Sequence, residues 1–414
     1  MDMENLTSFL MHYATSPLED QIVKHEIITK IENTLSKSHI FLNNNQILTV
    51  LFAFIKYGKG SDTFYELMEH RTITIIDTFS VDQLRKLLTL YSNLPKYSKS
   101  IFKAIETHVL KDFKRIPRTF ISELLQTFTE LGYQSESLYK TTENFLVSNV
   151  YNMTNEEFCK NLWAFSTKGE KDDTYFRKSA ECAKTKLSTY TAKELSTLVW
   201  SFSNVGYKDQ ELFDAIEEEI YAKLRAQAYS IKDIALLLWA YIQRVPLRPP
   251  TVEHMQRESV RLKENADAWD ISIILWGFSK FEGFQIDSFF KDLQEQCREL
   301  TPEMSNYELC ISLRAYAETN VGNEALYQAF QEKTLEVLDT LNYSEVITCL
   351  YSFNIVSCVP KTSFEDCIEK LKARAKYLQN QVKVVEKPAP IEVDLQSVEE
   401  YLKNEKLEKI RNQE

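Results

Sequence analysis

Glycine and proline are scarce in this chain, with eight and ten among 414 residues. So few turn formers leave little material for a fold of many tight turns. Together with 44% hydrophobic and 26% charged residues, they suit a helical protein with an ample apolar core. The seven cysteines, Cys159, Cys182, Cys297, Cys310, Cys349, Cys358 and Cys367, form no C-x-x-C pair and no ligand-like spacing. An odd number without such pairs points to reduced, mostly buried thiols rather than disulfides or zinc. No run approaches eighteen uninterrupted apolar residues, so no membrane span is expected. The start, Met1-Asp2-Met3-Glu4-Asn5, has neither the Arg-rich, acid-poor character of a transit peptide nor the apolar stretch of a signal peptide.

Catalytic signatures are missing as well. The six histidines (His12, His25, His39, His70, His108, His254) share no helical face and no H-E-x-x-H spacing. Gly58-Lys59-Gly60 is too short for a phosphate loop and follows a helical segment, whereas a phosphate loop precedes one. The expectation is a non-catalytic protein with no metal, no cofactor and no small-molecule substrate. Bulk positive charge is lacking too: 60 Asp and Glu face 49 Lys and Arg, giving a net charge of −11. Nucleic-acid binding would therefore need a local basic track.

What the chain does have is a period. The core Leu198-Val199-Trp200-Ser201-Phe202 recurs as Asn161-Leu162-Trp163-Ala164-Phe165, Leu237-Leu238-Trp239-Ala240-Tyr241 and Ile274-Leu275-Trp276-Gly277-Phe278. Its final aromatic falls at Phe54, Tyr91, Phe128, Phe165, Phe202, Tyr241, Phe278, Tyr316 and Phe353, in steps of 37, 37, 37, 37, 39, 37, 38 and 37 residues. So regular a spacing marks a repeat protein.

Each unit opens with a helix-start signal eleven residues before that aromatic: Asn43, Ser80, Pro117, Thr154, Thr191, Ser230, Asp267, Ser305 and Asn342. Eight of these nine are strong N-caps, and an acidic residue or glutamine three positions on completes a capping box in most units. An apolar residue precedes each cap and another stands at the fourth helical position, as a hydrophobic staple requires. Leucine or valine occupies the column three before the aromatic, from Leu51 to Leu350, and marks a buried seam. Gly58, Gly132, Gly169 and Gly206 stop the helix, and a second amphipathic helix follows, seen in pairs such as Ile101-Phe102 and Leu212-Phe213. Pro246, Pro249 and Pro250 lengthen the turn of the unit around Tyr241.

The chain is thus expected to be all-α, a right-handed α-solenoid of about ten helical hairpins with a period of about 37 residues. Residues 1–41 read as a degenerate capping hairpin, 42–380 as the repeat array, 381–396 as an extended linker and 397–414 as a charged C-terminal helix or tail.

The sharpest functional candidate is the column Trp163, Trp200, Trp239 and Trp276, roughly 160° around the helix from the reference aromatic. Such a line could form a ladder on which unpaired bases stack, or it could pack between repeats, the commoner fate of large aromatics at a regular helical position. Lys160, Lys193, Lys232 and Lys280, with Lys56 and Lys86, share the outer face with Asp82, Glu123, Glu130, Glu156 and Glu318. That mixture suits a protein partner better than a phosphate track. The clearest basic cluster, Lys111, Lys114, Arg115 and Arg118, falls in one inter-repeat turn and reads as solvated surface.

The L-x-W-A/S-F-S core in hairpins of about 37 residues resembles the heptatricopeptide and octotricopeptide repeats and the repeat region of FAST-kinase-like proteins, over roughly Leu42 to Leu371. The resemblance implies an organellar, most plausibly mitochondrial, protein of the kind that binds RNA in transcript processing, stability, ribosome assembly or translation. Many members end in a RAP domain, a small α/β module, and nothing after residue 371 has its alternating strands. The acidic balance also departs from those families' basic RNA-binding surfaces. Two readings follow. One is a scaffold subunit of a large mitochondrial assembly, such as the ribosome or a respiratory complex, binding partner proteins; the other is an organellar binder of single-stranded or ribosomal RNA.

Overall fold

The computed structural model describes residues 3–15, 21–94, 99–133, 135–169, 173–242, 247–281 and 286–381. Pro17, Pro95, Pro246, the expected linker beyond Gln381 and the expected C-terminal helix lie outside these residues. Among the described residues there are twenty α-helices and no strand, and the helices pair into ten consecutive hairpins. The protein is an α-solenoid in this sense, the hairpins of each unit stacking in chain order. The chain divides into two compact units, one made of the four hairpins before residue 150 and the other of the six after it.

Within each hairpin the first, or A, helix begins where its cap sequence places it. Full capping boxes form at Asn43, Ser80, Thr154, Thr191, Asp267, Ser305 and Asn342. Ser230 makes the same reciprocal pair, its hydroxyl accepting from the Asp233 amide at 3.2 Å while the Asp233 carboxylate accepts from the Ser230 amide at 3.3 Å. Pro117 alone among the nine has no side-chain oxygen to offer and makes no cap bond. The fourth-position residues of the expected staples, from Ile47 to Val346, are fully buried.

Helix ends follow the sequence too. Gly58, Gly132, Gly169 and Gly206 adopt φ of +59°, +63°, +75° and +70°, the left-handed conformation that lets the chain reverse. In a later unit Asn320 takes that place at φ +52°, and its Oδ1 accepts from the amides of Ser357 and Cys358 at 2.8 and 3.0 Å. Asparagine tolerates this backbone and adds a bond to the following repeat.

Within each unit the A helices of successive hairpins pack side by side and carry the core. The leucine seam is buried from Leu51 to Leu313, and Leu350 in the last A helix is half-buried. The small residues beside the seam, Ala164, Ser201, Ala240, Gly277 and Ala315, are buried where one helix crosses the next. At roughly 2 kcal/mol for each fully buried large apolar side chain, such a seam supplies much of the favourable free energy of a unit.

Three features of the joints were not legible in the sequence pattern. A short 3-10 turn, such as Ile76–Thr78, Leu187–Thr189 or Thr301–Glu303, leads from most B helices into the next A helix. An asparagine at the first helical position bonds across to the next such turn: Asn44 Nδ2 donates to the Thr78 carbonyl at 2.8 Å, and Asn155 Nδ2 to that of Thr189 at 3.1 Å. A glutamate on one B helix also accepts from the start of the next. Glu32 takes the Ser61 amide at 2.9 Å, Glu106 the Ser135 hydroxyl at 2.7 Å, and Glu217 the Arg248 amide and Thr251 hydroxyl at 2.9 and 2.7 Å. These bonds help fix the register of hairpin on hairpin, and those to Glu106 and Glu217 also satisfy carboxylates that are buried.

Candidate functional site

The tryptophan column lies in the second unit, on the A helices Asn155–Lys168, Ala192–Asn204, Ile231–Ile242 and Ala268–Phe278. The side of the helix away from the reference aromatic is not open, because the next A helix packs there. Trp200 and Trp239 are 5% and 2% exposed, and Trp163 and Trp276 are half-buried. Trp163 meets Trp200 at 6.1 Å between ring centroids, and Trp200 stacks on Trp239 at 5.7 Å. The middle rings are thus stacked on each other and leave no slot for a base between them. The indole N–H groups of Trp200 and Trp239 find no acceptor among the described residues, which adds to the cost of burying them.

The four lysines of the same face are mostly tied to carboxylates. Lys160 pairs with Glu156 at 2.6 Å, Lys232 with Asp267 at 3.2 Å and Lys280 with Glu318 at 2.8 Å. Lys193 is exposed, with no carboxylate partner among the described residues. The Lys280 pair spans two repeats, and Arg314 Nε also reaches Glu318 at 2.7 Å. Burial is the largest single influence on the Glu318 carboxyl and pushes it up, but the bonds and charges of Lys280 and Arg314 together outweigh it and hold it below its ordinary range. The charges on this face are largely spent on one another.

In the first unit a groove of about 660 Å³ opens beside the B helix Lys99–Lys111 and the end of the preceding B helix, Asp62–Thr74. It is lined on one side by Lys99, Lys103, Thr107 and Lys111, and on the other by Ile73, Ile76 and Asp77. Asp77 holds His108 at 3.0 Å and Lys111 at 3.1 Å, and these bonds, His108's first, lower its carboxyl from the ordinary range. Lys111 belongs to the basic cluster seen in the sequence, but Lys99 and Lys103 join it only in three dimensions. Their spacing of four and eight residues on one helical face was the available signal.

Below this groove Glu106 is 1% exposed, and its carboxylate accepts from Tyr133, Ser135 and Ser137 at 2.9, 2.7 and 2.8 Å. Lys103 Nζ lies 3.2 Å away. Burial is the largest influence on this carboxyl and pushes it up, but the four hydrogen bonds together outweigh it and hold it below the usual range. No group of three or more His, Cys, Asp or Glu suited to a metal ion occurs among the described residues. No described helix is long and apolar enough to cross a membrane.

Comparison with protein families gives a match to the family described as RNA-editing substrate-binding complex 6 protein, over residues 1–240 and again over 183–359. The two matches together cover most of the chain. The chain belongs to this family. The overlap over residues 183–240 is what a repeat array produces, since one pattern aligns in more than one register. The match supports the coarser part of the resemblance drawn above, a helical-repeat, RNA-associated protein. No curated protein sequence matches the chain.

Proposed function

We propose that this protein is a non-catalytic scaffold subunit of an RNA-editing substrate-binding complex and that it works in the mitochondrion. The family's description supplies the assembly, and it names neither a ribosome nor a respiratory complex. The observation that carries the scaffold reading is the charge-paired A face of the second unit. Lys160, Lys232 and Lys280 are engaged by carboxylates, and the stack is flanked by the half-buried rings of Trp163 and Trp276. A face of that kind has little net field to draw a polyanion. It offers the mixed polar and aromatic surface on which protein interfaces form, with tryptophan as the usual anchor.

The test is native purification of the tagged chain from mitochondria, with and without ribonuclease. A scaffold stays with a fixed set of proteins after the RNA is destroyed, and Trp276→Ala reduces their yield without unfolding the chain. Sedimentation of the tagged protein as a free monomer, or complete dispersal by ribonuclease, would overturn the reading.

A further inference from the structure

We infer that the groove beside helix Lys99–Lys111 in the first unit is a contact site for the phosphate backbone of single-stranded RNA. The inference rests on the reading of the protein as part of an RNA-associated complex, and it assigns the RNA contact to a surface other than the tryptophan column. The amino-acid sequence here reverses the character of the whole: residues 99–118 carry six Lys and Arg against two Asp and Glu, within a chain of net charge −11. Of those two acids, Glu106 is buried, accepts from three hydroxyls and pairs with Lys103 at 3.2 Å, and Asp112 pairs with Arg115 at 3.1 Å, which leaves the segment with a net positive charge.

Lys99, Lys103 and Lys111 are exposed along one face of the helix, with Thr107 filling the intervening turn. Four residues correspond to a rise of about 6 Å, so the ammonium groups form a row rather than a point. Lys99 has no carboxylate partner among the described residues, and Lys103 reaches only the saturated Glu106. Lys114 is exposed in the 3-10 turn Phe113–Arg115 and continues the row past the helix end, where Arg115 is exposed as well and pairs with Asp112 at 3.1 Å. Asp77 is the counter-charge within the groove, and it holds Lys111 and His108 in place on one wall.

A row of flexible ammonium groups along an open groove matches a chain of phosphates and reads no base. Affinity would therefore come from backbone charge and fall with salt. An A-form RNA duplex keeps its base edges in a deep, narrow major groove that side chains do not read, whereas a single strand laid along the row needs no such access.

The test is anisotropy of a labelled, unstructured RNA of about twelve nucleotides titrated with the full chain between about 50 and 200 mM salt. The variant Lys99→Ala/Lys103→Ala/Lys111→Ala alters exposed side chains and should fold normally. It is expected to bind about tenfold or more weakly, with the log-log salt slope smaller in magnitude by about 2, at roughly 0.7 per lost contact on a single strand. The control Lys160→Ala/Lys280→Ala should bind as the unaltered protein does. Equal affinity of the triple variant, or an equal loss in the control, would overturn the site. Failure of the unaltered chain to bind RNA would also overturn it, while leaving the scaffold reading to stand on co-purification. If the triple variant instead loses a protein from the purified complex and binds RNA normally, the groove is a protein contact and the inference is wrong.

Discussion

Trp200 and Trp239 stack across the joint between two repeats, with ring centroids 5.7 Å apart and planes 24° apart. Each ring is almost wholly buried, so the pair is part of what holds one hairpin on the next. Trp200→Ala is expected to cost about 3–5 kcal/mol, as removal of a buried aromatic does. Trp200→Phe should cost far less, because it keeps most of the stack and removes an indole N–H that has no acceptor. A double-mutant cycle with Trp239 should return a coupling of about 0.5–1.5 kcal/mol. Chemical denaturation measures all three. Unchanged stability of Trp200→Ala would mean that the column is available to a ligand after all.

Glu106 makes a prediction about pH. Its carboxyl lies below the unfolded value because its hydrogen bonds outweigh the effect of burial. A group depressed in the folded state adds stability that is full above the unfolded value, about 4.5, and is lost as pH falls through the folded value. Glu106→Gln should therefore be less stable at pH 7, since one carbonyl oxygen cannot accept from three hydroxyls. The gap from the unaltered protein should narrow below about pH 4.5. Thermal melts from pH 7 to acid would show it, and a gap that stays constant would assign the loss to packing instead.

The period, the caps, the staples, the helix stops and the leucine seam were all legible because each depends on residues close together in the chain. Ser230 and Asp233, three apart, declare their capping box without any tertiary context. The joints were not legible in the same way. Glu106 and Ser135 are 29 residues apart, and nothing in a single unit marks the glutamate as buried. The tryptophan column was visible as a column, but angle around one helix could not say whether its far side met water or another helix. The basic groove was half visible: Lys111 stood out among its neighbours, while Lys99 and Lys103 needed the helix and the facing wall at Ile73 and Asp77.

Two glycines of the second unit separate backbone strain from crowding. Gly169 has φ +75°, and a Cβ there would meet nothing within 4 Å. Gly169→Ala should cost only the left-handed penalty, about 1–2 kcal/mol. Gly322 has φ +114°, and a Cβ would come within 3.1 Å of the Tyr327 ring and 3.3 Å of Leu326, both fully buried. Gly322→Ala should cost at least about 1 kcal/mol more than Gly169→Ala, since these core groups must move. Equal losses in denaturant melts would show that the Tyr327 pocket yields freely.

The thiols give a count that tests how firmly the ends of the array are closed. Cys358 is exposed, whereas Cys159, Cys182, Cys297, Cys310, Cys349 and Cys367 are buried. Burial pushes Cys159, Cys182 and Cys297 up, and Cys367 up to about 12. Cys310 is raised first by its contact with Cys349, 3.6 Å away, and then by burial. Because a reagent must reach the sulfur and the thiolate is the nucleophile, a thiol shielded from solvent reacts only when its hairpin opens. A disulfide reagent at pH 8 should therefore release one fast equivalent from the native protein and the remaining six of seven only on unfolding. Replacing Cys358 by serine should abolish the fast phase. A second fast equivalent that persists in that variant would place local opening in the last repeats, where Cys349 and Cys367 lie, and would contradict the closed packing of helix Glu365–Gln381 on helix Tyr343–Ile355.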